Sequence, residues 1–156
     1  MDFGRVVQFL QALERENVQY VLVGGVALNV HGIVRATQDL DIFVRLDQEN
    51  VASVRRALRS VWNDPEIDEV RYEDLKGDYA TIRYGPPDED FVIDLLARLG
   101  DAFRFEDLTA DTISWAGANV RVATPETLYR MKKDTLRPVD RADAAQLRER
   151  FGLGEK

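Results

Sequence analysis

The chain has no cysteine, a single histidine and no long apolar run. Without cysteine there are no disulfides and no thiolate metal sites, which fits a cytoplasmic protein. His31 alone cannot build a histidine-rich zinc site. No apolar N-terminal segment has the form of a signal peptide, and no stretch is long enough to span a bilayer, so no membrane association is expected. Positive charge is also short, with 21 Lys and Arg against 28 Asp and Glu and a net charge of −7. A protein that coats nucleic acid nonspecifically is normally basic, so that role is set aside. A local basic patch facing a carboxylate cluster is still allowed. Internal repeats and low-complexity segments are missing too. What remains is an ordinary globular composition, 45% hydrophobic and 31% charged. Its 156 residues suit one domain over 1–156 with a sizeable core.

The stretch 20–45, YVLVGGVALNVHGIVRATQDLDIFVR, organises the rest. Tyr20, Val21, Leu22 and Val23 read as a buried strand. Gly24 and Gly25 interrupt it, a short helix follows over 26–31, and Gly32 ends that helix. A second strand covers 38–45. Asp39 and Asp41 lie two apart at its start, so both carboxylates share a face, with Phe43 next on that face. Leu40, Ile42 and Val44 point the other way and read as core. Adjacent carboxylates repel unless a cation sits between them, and this spacing suits a hard, oxygen-liganded ion such as Mg²⁺.

Around that stretch the pattern alternates helices and strands. An amphipathic helix over 2–16 carries Phe3, Val6, Val7, Leu10 and Leu13, with Asp2 as its cap and Asn17 as its stop. The next helix spans 48–60, and Arg55, Arg56 and Arg59 on its outer side read as a solvated face or as an acceptor-binding patch. Residues 63–77 are acidic and read as a surface loop with one short strand at 70–72. Strands follow at 79–84 and 90–96, separated by the turn Gly85-Pro86-Pro87-Asp88. Asp94 is the one acid in the run Phe91 to Leu96; unpaired burial would be costly, so it lies at a polar strand end or beside a cation. Loop and short helix are expected over 98–109, and a hairpin at 112–122. Thr124 and Pro125 start a helix that runs to about Asp134. A last helix begins at Pro138 or Asp140, ends at Gly152, and has Ala144, Ala145, Leu147 and Phe151 as its apolar positions.

Strand, Gly-Gly, short helix and Asp-x-Asp on the next strand resemble the signature of the nucleotidyltransferase superfamily of DNA polymerase β type. The fuller pattern GGxALxxHGxxRxTxDLDI is similar to its small prokaryotic branch, which holds AbiEii-type toxins, minimal nucleotidyltransferases and lincosamide-modifying enzymes. The likeness is carried by 18–45, with further support at 91–96 and 122–147. It implies an α+β fold, a mixed sheet flanked by helices. It also implies that Asp94 joins Asp39 and Asp41 in a catalytic triad holding two Mg²⁺ ions, with Mn²⁺ as a substitute. Gly24 and Gly25 would let the backbone approach the phosphates of an NTP, aided by the helix start that follows. Arg35 and Thr37 are candidates for the same nucleotide; Arg35 is equally suited to pairing with a neighbouring acid. A basic residue of the C-terminal region, Lys132 or Lys133, would reach the phosphates, and Asp140 and Asp143 resemble the D-x-x-D motif that would orient it. His31 reads as a packing or capping residue. The implied activity is transfer of an NMP from an NTP to an acceptor hydroxyl with release of pyrophosphate. The acceptor would be RNA such as tRNA, a protein or a small molecule, within a toxin–antitoxin or phage-defence system. With little beyond the core, the chain is expected to draw on a homodimer partner or to meet an antitoxin. The alternative is a non-catalytic nucleotide- or partner-binding module of the same fold.

Overall fold

The computed structural model describes residues 1–135 and 137–153. Residue 136 and residues 154–156 of the domain expected over 1–156 lie outside the described residues. Helix α1 (Phe3–Arg15) starts where Asp2 accepts from the Gly4 and Arg5 amides, and Asn17 ends it in a left-handed conformation. Strand β1 (Tyr20–Val23) runs straight into helix α2 (Gly24–Val30), and β2 (Asp39–Val44) follows. Helix α3 (Gln48–Val61) is capped by Asp47. Strands β3 (Thr81–Tyr84) and β4 (Val92–Leu96) come next, then a two-stranded ribbon of β5 (Arg98–Leu99) and β6 (Phe103–Arg104). Strands β7 (Ala110–Trp115) and β8 (Ala118–Ala123) form the hairpin. Helix α4 (Pro125–Lys132) is capped by Thr124, and α5 (Pro138–Phe151) closes the fold.

The expected mixed sheet is present, in the order β3-β4-β2-β1-β8-β7. β1 and β2 are antiparallel, while β2 pairs with β4 and β1 with β8 in parallel. The core lies where α1 packs on α3 and β8. Phe9, Leu10 and Leu13 of α1 and Val51, Val54 and Leu58 of α3 are all inaccessible to water or nearly so. Trp62 gathers Phe9, Tyr84 and Phe91 around its ring. Central strands read as apolar on both faces, and β2 obeys this only beyond its acids: Phe43 is buried along with Leu40, Ile42 and Val44. The acid face is open only at the start of the strand.

Three sequence expectations are corrected. Residues 63–77 hold no strand; they form two 3₁₀ turns, at Pro65–Glu69 and Tyr72–Leu75. Ile67, Val70 and Leu75 are buried there, spaced too irregularly to mark either regular period. The loop and short helix expected at 98–109 are a two-stranded ribbon followed by a 3₁₀ turn at Phe105–Asp107. In α5, Ala145 and Phe151 are exposed, and Asp143 takes the inward place beside Ala144 and Leu147. A buried ion pair together with Ala144 and Leu147 docks this helix. Among the described residues no helix is long and apolar enough to cross a membrane.

Candidate active site

The end of β1 lies beside the start of β2, with Val23 opposite Asp41. β4 flanks β2 on the other side, in a register that sets Asp41 opposite Asp94 and Asp39 opposite Val92. Registered residues of a parallel pair face the same side, about 4.8 Å apart across the strands. Asp39, Asp41 and Asp94 therefore come together on one face, as the sequence pattern implies. Asp94 lies in mid-strand, 8% exposed, and not at a strand end.

Gly24 and Gly25 open α2 itself, where a short loop before the helix was expected. Gly24 has φ +75, and a Cβ built on it would stand 2.0 Å from Asp41 Oδ2. A Cβ on Gly25 would come within 2.9 Å of the Thr37 Cβ. The two glycines thus admit side chains of the β2 segment against the start of the helix. Thr37 braces the acid pair from below: its hydroxyl bonds both the amide and the carbonyl of Asp39 at 3.2 Å.

This crowding acts on the acids. The Asp41 carboxyl is pushed up to about 7, first by burial and then by the neighbouring charges of Asp94 and Asp39, with Lys132 opposing. On the far side of Asp94, Arg83 of β3 forks over both carboxylate oxygens at 3.0 and 3.1 Å. Its guanidinium is also 3.9 Å from Asp39 Oδ1, and these acids hold it above its usual range. Among the described residues, no three His, Cys, Asp or Glu side chains are arranged to hold a metal ion. The cation beside Asp94 is an arginine, which resolves how a carboxylate is accommodated in an apolar strand. Nothing in the local sequence signals it, because the contact depends on the β3–β4 register that sets Arg83 opposite Asp94.

The opposite wall is built by α4 and α5. Lys132 is buried, and its Nζ donates to Asp143 at 3.0 Å and Asp140 at 3.3 Å. Arg35 turns to the same Asp143, with Nε 3.1 Å from Oδ1, so of its two sequence readings the structure places it in the ion pair. Lys133 is exposed and does not line the cleft, because its side chain diverges by about 100° from that of Lys132 on the helix. His31 Nε2 donates a 2.8 Å bond to the Ala123 carbonyl, and the ring packs edge-on against Phe151. Arg55 and Arg56 bond the Val70 carbonyl and Glu16, and Arg59 pairs with Asp68. The three arginines thus tie α3 to its surroundings.

Between these walls is a cleft of about 280 Å³. Gly24, Asp41, Asp94, Lys132 and Arg137 supply its polar side, and Leu96, Leu99, Leu128 and Met131 its apolar side. The apolar wall was not visible in sequence, since its residues come from three separate elements.

Solved structures share this fold at low identity. The nucleotidyltransferase candidate TM1012 from Thermotoga maritima has a TM-score of 0.56 at 16% identity, covering 96% of this chain and 92% of that one. ANT(2'')-Ia in complex with adenylyl-2''-tobramycin has a TM-score of 0.58 at 15% identity, covering 96% and 88%. JHP933 from Helicobacter pylori has a TM-score of 0.57 at 19% identity, covering 96% and 65%. No protein of curated function matches the chain in sequence. Residues 8–150 match the family described as nucleotidyl transferase AbiEii toxin, type IV toxin–antitoxin system. With the strand–Gly-Gly–helix–Asp-x-Asp unit and the acids of β2 and β4 in place, the chain belongs to the AbiEii nucleotidyltransferase family.

Proposed function

We propose that the chain transfers an NMP from a Mg²⁺-bound NTP to an acceptor hydroxyl and releases pyrophosphate. The observation that carries this is the register that puts Asp94 opposite Asp41, with Asp39 two residues along the same face. The donor set fits a hard divalent cation: it is all carboxylate oxygen, and a cation there would offset both the burial and the mutual repulsion that disfavour the charged form of Asp41. Asp39 and Asp41 would hold the ions, and Asp94 would join them once its oxygens are free of Arg83. Bound there, Mg²⁺ or Mn²⁺ supplies charge neutralisation for the phosphates and activation of the attacking hydroxyl.

The chain's own residues account for the rest. Lys132 presents a buried, twice-paired ammonium to the phosphate side, fixed in place by Asp140 and Asp143. Gly24 and Gly25 bring the first amides of α2 to the same edge of the cleft. Asp94 accepts the proton of the acceptor hydroxyl. That oxygen forms the new bond to the α-phosphorus, the bond from this phosphorus to the β-phosphate bridge breaks, and pyrophosphate leaves. Positioning and electrostatics provide most of the rate in such transfers.

Family membership supports a place in a toxin–antitoxin system, and the adenylyl-tobramycin complex of ANT(2'')-Ia shows that this fold accommodates a small-molecule acceptor in another protein. The test is incubation with each α-labelled NTP and Mg²⁺, alongside total RNA, protein or a panel of hydroxyl-bearing small molecules. Label is expected in one acceptor class, with equimolar pyrophosphate. Absence of label from every class, with folded protein and millimolar metal and nucleotide, would leave the non-catalytic binding module as the better reading.

A further inference from the structure

We propose that Arg83 is a positioning residue that competes with the divalent cation for Asp94, keeping this carboxylate out of the ligand set until metal and nucleotide displace it. The inference rests on the reading of the three acids given above. A carboxylate offers about four lone-pair sites, and a bidentate guanidinium takes one on each oxygen. Arg83 does so at 3.0 and 3.1 Å, and leans towards Asp39 as well. The contact pulls Asp94 outward, towards the edge strand, while Asp41 stands on its inner side. Two cations at one carboxylate repel, so occupancy by one weakens the other.

The contact is also built to exchange. Arg83 is on an edge strand and its side chain is 64% exposed, so release returns the guanidinium to water, while the cation that displaces it takes over the buried charge of Asp94. Lys132, on the opposite wall, is fixed between two acids and has no comparable freedom. A guanidinium freed beside the cleft is shaped to take phosphate oxygens in the same forked manner. Binding of the nucleotide would then draw Arg83 away from Asp94 and complete the metal ligands in one event.

The test is Mn²⁺ binding to the nucleotide-free chain, followed by electron paramagnetic resonance. Wild type is compared with Arg83→Gln and Arg83→Lys, each also made in an Asp94→Asn background, with melting curves to confirm folding. Arg83→Gln should tighten Mn²⁺ binding by about tenfold, the size of one charge-assisted contact. Arg83→Lys keeps the charge and loses the fork, so it should tighten binding by a smaller, measurable factor. Both gains should vanish when Asp94 is Asn. Unchanged or weaker binding in Arg83→Gln would overturn the proposal. So would wild-type affinity in Arg83→Lys, which would reduce the effect to net charge, or a gain that survives Asp94→Asn. Absence of Mn²⁺ binding in every variant, with nucleotide present as well, would instead remove the metal reading beneath it, so the two failures are distinguishable.

Discussion

The acid cluster is flanked by two cationic walls of opposite character. On the α4–α5 side, Lys132 and Arg35 converge on Asp143, which is 2% exposed, and Asp140 adds a second acid. On the β3 side, Arg83 reaches Asp94 from an edge strand with most of its side chain in water. The first wall is desolvated and can move only by breaking several contacts together. The second is a single fork whose guanidinium is already largely in water. Buried charges are costly to unpair and exposed ones are not, so the first wall is suited to hold and the second to exchange.

Breaking the buried wall should have the largest effect on stability. Asp143→Asn leaves Lys132 with one acid and Arg35 with none, and should cost about 3 kcal/mol, read by chemical denaturation. Gly24→Ala should come next. It adds a Cβ at positive φ where Asp41 Oδ2 already stands, and should cost about 1–3 kcal/mol while displacing that acid. Gly25→Ala has no positive φ to strain, but its Cβ would stand 2.9 Å from the Cβ of the stiff Thr37 and push on the residue that holds Asp39, so it should cost about 1–3 kcal/mol as well.

The acid pair between the walls gives a pH signature. The folded Asp41 has its carboxyl raised to about 7, so between the ordinary carboxylate range and pH 7 the folded chain binds a proton that the unfolded chain does not. Its contribution to stability is therefore complete below the unfolded value and is lost as pH rises through about 7. Melting in EDTA should show Asp41→Asn matching wild type near pH 4 and exceeding it by about 1–2 kcal/mol at pH 8. A smaller change belongs to the exposed wall: Arg83 itself is mostly in water, but Arg83→Gln leaves the buried Asp94 without its cation, so it should cost about 1–2 kcal/mol, less than Asp143→Asn, while tightening metal binding. A loss as large as that of Asp143→Asn would erase the contrast between the two walls.

Much of this was legible in the sequence because the signals were local. The run Tyr20 to Val23, the caps Asp2 and Thr124, and the alternation around Asp39 and Asp41 each fix structure within a few residues. The side-chain period of two is enough to put the pair on one face. What escaped depends on register and distance along the chain. Arg83 meets Asp94 only because β3 pairs with β4 in one alignment of several. Asp143 was legible as half of a motif that orients the C-terminal lysine, but its burial was not, because Arg35 arrives from a distant element to share it. Ile67, Val70 and Leu75 were hidden among acids, in turns that follow neither helical nor strand spacing.

The central claim is that Asp94 serves the acceptor hydroxyl while Asp39 and Asp41 serve the nucleotide's metal. Single-turnover transfer and nucleotide affinity, measured together on Asp94→Asn and Asp39→Asn, test it most directly. Asp94→Asn should bind Mg²⁺-NTP and transfer about 100- to 10,000-fold more slowly, while Asp39→Asn should lose both binding and transfer. Transfer by Asp94→Asn at the wild-type rate would contradict the account.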